Sequence, residues 1–288
     1  MALPVHDGGK YGPSVAADVG TMPQAVELFV RETGQGPAVL FLHGLGGDHT
    51  VWNEVAPLLG PELRAIRPDL RGHGRSPFPP GSTLSFEELE GDVVSLLDRL
   101  QLPSVHLVGF SAGAFLALRL ARDLPERIRS LVLVNGSAYC DAHTREILES
   151  WQQEFREGGE EALVLRLMKD LYDRDWMEAH LDHVDLMRQY WKDAQLKPLA
   201  LWTGEIVRFD MRGRLARIRA PTLILQGMTD VVVDPSHGRF LRQSIPGAEL
   251  KIYRETGHMM PIERPKETAD AVGEFVRSVE GRATSPAP

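Results

Sequence analysis

The sequence predicts an α/β fold in which a mostly parallel, doubly wound sheet carries a helical cap inserted before its last two strands. Short β-rich runs alternate with helical patterns along most of the chain, which is typical of parallel sheets. Several runs, such as Val39-Leu40-Phe41-Leu42, are apolar at consecutive positions, as expected for strands covered on both faces. One stretch, 138–214, breaks the alternation with helical patterns alone.

Seven runs are predicted to be strands: 26–31, 38–42, 63–67, 105–109, 131–134, 222–226 and 249–253. Between the third and fourth runs, Ser85 and Glu88 have the spacing of a capping box at a helix start. Apolar residues at helical spacing follow, among them Phe86, Leu89 and Val93, and they predict an amphipathic helix. Strands and helices that alternate in this way imply right-handed crossovers between parallel strands.

These patterns divide the chain into segments. Residues 25–137 and 215–280 are predicted to form the core, 138–214 a helical cap over the carboxyl edge of the sheet, 1–24 a flexible arm and 281–288 a disordered tail. The cap holds four of the five tryptophans: Trp151, Trp176, Trp191 and Trp202. They either form the cap's own core or line an apolar substrate pocket, and the sequence leaves both interpretations open.

Composition and charge exclude several functional classes. The 288 residues include 32 basic and 40 acidic side chains, a net charge of −8, which argues against a protein that binds nucleic acid or an anionic membrane surface. With Cys140 as the single cysteine, no intramolecular disulfide or multi-cysteine metal site can form, and we expect an inert thiol. Neither a secretory signal nor a membrane-spanning run is visible, so a cytoplasmic location is expected.

The strongest functional motif is Gly109-Phe110-Ser111-Ala112-Gly113. It follows a predicted strand and opens a predicted helix, which is the context of a nucleophile elbow. The two glycines allow a sharp turn without a Cβ clash, and the turn raises the Ser111 hydroxyl at the edge of the sheet. The motif therefore predicts Ser111 as a catalytic nucleophile.

A serine nucleophile needs a general base and an acid that orients the base. His258 follows the last predicted strand and Asp230 the strand before it, so both fall at the carboxyl end of the sheet. Asp234 competes for the role of the acid, but it precedes Pro235 and is better placed to cap a helix. Ser111, Asp230 and His258 are therefore predicted as the triad.

Together these residues resemble the α/β-hydrolase fold superfamily, in particular its capped, serine-nucleophile members related to esterases and lactonases. The resemblance spans about residues 26–279 and includes four further motifs, which are His43-Gly44-Leu45-Gly46-Gly47, the segment from Asp69 to Ser76, Gly227-Met228-Thr229-Asp230, and Gly257-His258. It implies an oxyanion hole formed by the backbone N–H groups of Leu45 and Ala112. In relatives the residue after the serine is often larger, so Ala112 leaves extra room there. The resemblance also implies structural roles for His43 and for the turn from Asp69 to Ser76.

Other candidate sites are weaker. His180, Asp182, His183 and Asp185 could be imagined as metal ligands, but on a polar helix face we expect them to be solvated. Phosphate loops, dinucleotide fingerprints and H-E-x-x-H motifs are absent from the sequence, so no cofactor and no metal are indicated.

The sequence thus predicts a serine esterase for a small-molecule ester with small to medium apolar groups. Two alternatives use the same triad: hydrolysis of an enol-lactone or of a carbon–carbon bond, and perhydrolysis as a side activity. Carbon–carbon hydrolases of this superfamily often carry Trp directly after the catalytic histidine, where this chain has Met259. A non-enzymatic ligand-binding protein is a further alternative. The substrate and the oligomeric state stay open.

Overall fold

The computed structural model describes residues 25–183, 186 and 196–284. Its strands are β1 (Val30–Thr33), β2 (Ala38–Leu42), β3 (Arg64–Pro68), β4 (Val105–Phe110), β5 (Ile128–Val134), β6 (Thr222–Gly227) and β7 (Glu249–Tyr253). They form one seven-stranded sheet in the order β1-β3-β2-β4-β5-β6-β7. Strand β1 pairs antiparallel with β3, and every other pair in this sheet is parallel. The predicted α/β fold class is confirmed.

The helices within the described residues are α1 (Phe86–Arg99), α2 (Ala112–Asp123), α3 (Ala142–Leu171), α4 (Arg174–Ala179), α5 (Leu196–Arg208), α6 (Ser236–Ser244), α7 (Met260–Glu263) and α8 (Pro265–Thr284). Short 3₁₀ helices lie at His49–Trp52, Ala56–Leu59, Pro125–Arg127 and Leu215–Arg217. Helix α1 begins with the predicted capping box between Ser85 and Glu88. Helix α3 is broken at Gly159, whose φ of 73° lies in the left-handed region. None of the described helices is both long and apolar enough to cross a membrane.

The core lies on both faces of the sheet, which explains the consecutive apolar residues of the strands. In β2, Leu40 and Leu42 pack into one cluster with residues of α1 and α2. Val39 and Phe41 point to the opposite face and pack into a second cluster with residues of α8. Because side chains alternate along a strand, a strand buried on both faces needs apolar residues at every position.

Three predicted boundaries are wrong by three residues or more. Strand β5 begins at Ile128 instead of residue 131. Strand β1 begins at Val30 instead of residue 26, because earlier backbone groups bond to side chains: Val26 N–H donates to Asp92 and Phe29 N–H to Ser76. At the other end, α8 continues to Thr284, four residues into the predicted tail. Glu280, near its end, pairs with His106 and Arg129, and these contacts hold the last turns against the sheet. Residues 1–24 and 285–288, and with them the predicted arm and the end of the tail, lie outside the described residues.

Helices α3, α4 and α5 come between β5 and β6, where the sequence predicted a cap. Residues of α3 line the same cavity as Ser111 at the end of β4, so this helix covers the carboxyl edge of the sheet. Trp202 of α5 is fully buried and packs in the main core, whereas Trp151 of α3 lines the cavity. The pocket interpretation thus holds for Trp151, whereas Trp202 packs in the main core against the sheet and not in a separate core of the cap. Trp191 lies outside the described residues.

Candidate active site

Ser111 lies in a sharp turn between β4 and α2. Its backbone has φ 53° and ψ −118°, a conformation that L-residues rarely adopt. The flanking glycines are needed because of close approaches: a Cβ on Gly113 would lie 2.5 Å from the carbonyl oxygen of His43, and one on Gly109 2.7 Å from the Cβ of Ala117. The chain can therefore turn tightly enough to present the Ser111 side chain at the edge of the sheet.

The predicted triad residues come together in the structure. The Nε2 atom of His258 lies 2.7 Å from the Oγ of Ser111, and its Nδ1 atom lies 2.8 Å from Oδ2 of Asp230. Asp230 Oδ1 accepts hydrogen bonds of 2.9 Å from the N–H groups of Val232 and Val233, which fix the plane of the carboxylate. An ionised carboxylate only accepts, so Nδ1 donates to it and Nε2 is left to accept from the serine hydroxyl.

Asp234, the competing acid, bonds to the following helix, and it is Asp230 that bonds to His258. Asp234 Oδ1 accepts a hydrogen bond of 2.8 Å from the N–H of Ser236, the first residue of α6. This bond ties Asp234 to the start of α6, at the place where the sequence predicted a helix cap.

The backbone amides predicted to form an oxyanion hole flank the serine. Leu45 follows β2 and Ala112 is the first residue of α2, and both line the cavity that contains Ser111. Among the described residues neither N–H group has a hydrogen-bond acceptor. Since α2 begins at Ala112, its N-terminal amides favour a negative charge at this position.

His43 shapes the loop that carries Leu45. Its Nε2 accepts a hydrogen bond of 2.9 Å from the N–H of Leu70, and its Nδ1 donates to the carbonyl of Gly44 at 2.8 Å. Burial, and then the neighbouring His73, hold the pKa of His43 well below its usual value. A neutral His43 therefore joins the Leu45 loop to the segment after β3.

A cavity of about 700 Å³ lies between the sheet edge and the helices that follow β5. Ser111 and His258 lie at its base, and most of its walls are apolar. The core contributes Phe110 and Phe115, whereas α3 contributes a larger set: Leu148, Trp151, Phe155, Leu163 and Leu167. Such a cavity holds a small organic molecule and brings its apolar parts out of water.

Comparison with known proteins identifies the family. The family model described as alpha/beta hydrolase fold matches residues 37–265, which is most of the chain. The chain belongs to the α/β-hydrolase fold family. Its relatives include RutD of Variovorax paradoxus, which is named as a carbamate hydrolase and is 32% identical over 235 residues, 80% of this chain and 87% of the relative.

Two solved structures extend this likeness. The enol-lactonase from Burkholderia xenovorans LB400 superposes with a TM-score of 0.78 at 27% identity, covering 88% of this chain and 96% of the lactonase. A malate-bound thermophilic esterase from Thermogutta terrifontis superposes with a TM-score of 0.81, also at 27% identity, covering 90% of this chain and 96% of the esterase. The chain is thus a hydrolase, and these similar proteins are named as a carbamate hydrolase, an enol-lactonase and an esterase.

One residue near the triad was missed by the sequence analysis. Asn135 follows β5, where the sequence offers no carboxylate, and has φ 45°. Its side-chain amide donates to the carbonyl oxygens of Gly257 and His258 at 3.0 and 2.7 Å, and its Oδ1 accepts from the N–H of Gly227 at 2.7 Å. Asn135 therefore ties the ends of β5 and β6 to the histidine loop. An Asn-Gly pair directly after a strand is a turn signal that could have drawn attention to it.

The turn from Asp69 to Ser76 bonds to the core. Arg71 is buried and forms ion pairs of 2.7 Å with Glu88 and Asp92 of α1. Asp69 Oδ1 accepts from the backbone and ring nitrogens of His49 at 2.8 and 2.6 Å. Asp48, His49 and Asp69 lie close enough together to ligate a metal, but these hydrogen bonds already occupy Asp69 Oδ1 and the His49 ring nitrogen next to it. The turn thus joins β3 to α1, which is a structural role.

The cap histidines differ from the solvated face that the sequence predicted. His183 lines the cavity, and the hydroxyl of Tyr172 lies 3.0 Å from its Nε2. His180 stacks on Trp176 with ring centroids 4.2 Å apart, although it stays exposed. The prediction is therefore wrong for His183, because Tyr172 and Trp176 pack against its ring. Asp185 lies outside the described residues. Burial raises the pKa of the Cys140 thiol, which disfavours a reactive thiolate.

Proposed function

We propose that this α/β-hydrolase is a serine esterase that cleaves carboxylic esters with small to medium apolar groups. The observation that carries the proposal is the hydrogen-bonded chain from Ser111 through His258 to Asp230, with distances of 2.7 and 2.8 Å. Ser111 and His258 line a largely apolar cavity of about 700 Å³. The sequence carries no motif for a cofactor, so these side chains supply the chemistry.

In the first half of the reaction, His258 Nε2 takes the proton of Ser111 as its Oγ attacks the ester carbonyl carbon. The negative charge that develops on the carbonyl oxygen lies between the amides of Leu45 and Ala112. Loss of one such donor typically slows the reaction by about 100- to 1000-fold. Protonated His258 then donates its proton to the leaving alkoxide, which departs as the alcohol and leaves an acyl-enzyme.

In the second half, a water molecule attacks the acyl-enzyme while His258 Nε2 takes a proton from it. The second tetrahedral intermediate collapses when the same proton returns to the Oγ of Ser111, and the carboxylic acid is released. Asp230 stays ionised throughout and stabilises the imidazolium through Nδ1. Its two backbone donors, Val232 and Val233, hold its carboxylate in place beside the ring.

Hydrolysis of p-nitrophenyl esters from acetyl to dodecanoyl tests the proposal, with Ser111→Ala measured in parallel. We expect turnover that peaks at a short to medium acyl chain, since the cavity has a limited volume. Ser111→Ala is expected to lose at least about 1000-fold in kcat with an unchanged fold, because the nucleophile is removed. Activity above a few per cent in a clean preparation of that variant would contradict the proposal.

A fluorophosphonate probe separates the remaining alternatives. Labelling of Ser111 without hydrolysis of any p-nitrophenyl ester would indicate a narrower substrate, such as a lactone or a ring-fission product. The absence of both labelling and hydrolysis would favour a ligand-binding protein.

A second candidate, hydrolysis of an enol-lactone that carries a carboxylate, is favoured by Arg156. This residue of α3 lines the cavity and forms no ion pair with any described residue. A guanidinium that has no ion pair among the described residues is well suited to bind a carboxylate in two hydrogen bonds. One relative is named 3-oxoadipate enol-lactonase 1, from Acinetobacter baylyi, and is 27% identical over 270 residues.

Two esters of similar acyl size distinguish this candidate. We compare p-nitrophenyl butyrate with the p-nitrophenyl monoester of glutaric acid in the wild type and in Arg156→Gln. If Arg156 binds a carboxylate, the variant raises KM for the charged ester by about tenfold and leaves KM for the neutral ester alone. Equal effects on both esters would exclude this role for Arg156.

A further inference from the structure

The segment 171–173, which joins α3 to α4 in the cap, packs directly on the loop that carries His258. The carbonyl oxygen of Leu171 accepts a hydrogen bond of 2.9 Å from the N–H of Met259. A Cβ on Gly257 would lie 2.5 Å from the backbone nitrogen of Asp173. The cap backbone therefore lies against the residues on both sides of His258.

Glu263 bridges this contact. Only 6% of it is exposed, and its Oε2 accepts hydrogen bonds from the N–H groups of Gly257 at 2.9 Å and Asp173 at 3.1 Å. One oxygen thus holds a donor from the histidine loop and a donor from the cap. The other oxygen, Oε1, is buried and has no partner among the described residues. The mechanism proposed above uses none of these groups.

The same cap segment also reaches the loop of the acid. Asp173 Oδ2 accepts a hydrogen bond of 2.8 Å from the hydroxyl of Thr229, the residue before Asp230. Asp173 Oδ1 accepts from the N–H groups of Asp175 and Trp176 and caps α4. Through Asp173 and Glu263, the start of α4 is joined to both loops that carry the base and the acid.

The surroundings of Glu263 are acidic. Asp173 faces it from the cap and Asp230 from the loop after β6, while burial and the Glu263 charge raise the pKa of Tyr172. Burial is the main cause that raises the pKa of Glu263 to about 7. The two backbone donors act in the opposite direction, since they stabilise the ionised form. Ionisation of a carboxyl group in this position lowers the free energy of unfolding. A buried group with this effect calls for a functional explanation.

We infer that Glu263 is a positioning residue that holds the His258 loop at the distance required for proton transfer from Ser111. The inference rests on the proposed function, because it assigns Glu263 a part in that same reaction. The length of the Glu263 side chain is what matters for this role. Glu263 must span from α7 to two backbone amides that belong to different parts of the chain, and a displacement of His258 by about 1 Å can slow the reaction about 100-fold.

Two conservative variants separate reach from charge. Glu263→Gln keeps the length of the side chain and one oxygen that accepts from both amides, but loses the charge. Glu263→Asp keeps the charge but is one methylene shorter, so its oxygens fall short of the amides. We expect kcat for p-nitrophenyl butyrate and the labelling rate of Ser111 by a fluorophosphonate to fall about 10- to 100-fold in Glu263→Asp. In Glu263→Gln the fall is less than about threefold, and KM changes little in either variant.

Glu267→Asp is the matched control, since Glu267 is exposed on α8 only four residues away. It is expected to match the wild type. Near-ultraviolet circular dichroism and the melting temperature of each variant report whether it is folded. The inference is overturned if Glu263→Gln is as slow as Glu263→Asp, if both match the control, or if the loss only follows an unfolded fraction.

The labelling rate keeps this test apart from the test of the esterase proposal. If no ester is hydrolysed by the wild type, the esterase proposal fails. The order of labelling rates among the Glu263 variants still decides the role of Glu263.

Discussion

The two loops that carry Ser111 and His258 both depend on glycine, but they pack against different parts of the molecule. At the serine, Gly113 lies against the carbonyl oxygens of Leu42 and His43, at the end of β2. At the histidine, Gly257 lies against the backbone of Tyr172 and Asp173 in the cap. The serine turn thus packs against a strand end of the core, whereas the histidine loop packs against both the core and the cap.

This difference separates two requirements of the reaction. The nucleophile needs a fixed place at the sheet edge, and rigid strands supply it. The histidine must stay aligned with both the serine and the acid, and its loop is bound by Asn135 from the core and by Glu263 together with the cap. A movement of the cap segment 171–173 would therefore disturb the histidine and leave the serine turn as it is.

The largest effect is expected from Gly113→Ala. Alanine is better than glycine in a helix by about 1 kcal/mol, but here its Cβ would lie 2.5 Å from a backbone oxygen that cannot move away. The clash outweighs the better helix preference of alanine. We therefore expect a loss of activity of about 100-fold or more together with a lower melting temperature. The control is Gly91→Ala in α1, where nothing lies within 4 Å of the new Cβ. It should raise the melting temperature, and the same rise in Gly113→Ala would refute the argument.

A smaller and more selective effect is expected from Gly257→Ala. The new Cβ would push the cap segment away from the histidine loop. We expect kcat for p-nitrophenyl butyrate to fall about tenfold or more while the melting temperature of the core changes by only a few degrees. Gly213→Ala serves as the control, because nothing lies within 4 Å of its Cβ. A fall in both variants, or in neither, would contradict a specific contact between cap and histidine loop.

The smallest effect concerns stability and pH. The pKa of Glu263 is raised from an ordinary 4.5 to about 7 in the folded protein. Between these values the folded state binds a proton that the unfolded state has lost, so the free energy of unfolding falls as pH rises through this window. The total fall from this group is at most about 3 kcal/mol.

Glu263→Gln has no such proton to lose. Its stability relative to the wild type should therefore increase between pH 5 and pH 8, by about 1 to 3 kcal/mol. Urea unfolding of both proteins at several pH values measures this difference. Parallel stability curves would show that Glu263 does not titrate in this range. The neighbouring Asp173, Asp230, Tyr172 and His258 are present in both proteins, so the comparison isolates residue 263.

Much of the fold could be predicted from the sequence because its patterns are local. Apolar runs bounded by turns located all seven strands, although β1 begins four residues later and β5 three residues earlier than predicted. Strand β1 lies at an edge, and the backbone N–H groups of Val26 and Phe29 before it bond to side chains instead of pairing in the sheet. The end of α8 was missed because contacts of Glu280 with distant residues support it, and a tail rich in small residues does not reveal them.

The residues of the candidate site divide in the same way. Ser111, Asp230 and His258 each follow a strand, and the carboxyl ends of parallel strands meet at one edge, so their approach could be expected from their order alone. Asn135 also follows a strand, but it is not a residue type that a serine triad requires, and Glu263 follows no strand. Asn135 bonds to the backbone of Gly257, which lies more than 100 positions away along the chain. Glu263 bonds to the backbone of Asp173, which lies 90 positions away.

The sequence by itself therefore determined the α/β class, the strand that each of Ser111, Asp230 and His258 follows, and the meeting of these three side chains at the sheet edge. Local spacing and the geometry of parallel strands are sufficient for those features. Only the tertiary structure decided the apolar cavity, the place of Arg156 and His183 on its wall, and the bond of Glu263 to both cap and histidine loop. These features depend on which distant segments pack together, and no spacing along the chain encodes that contact.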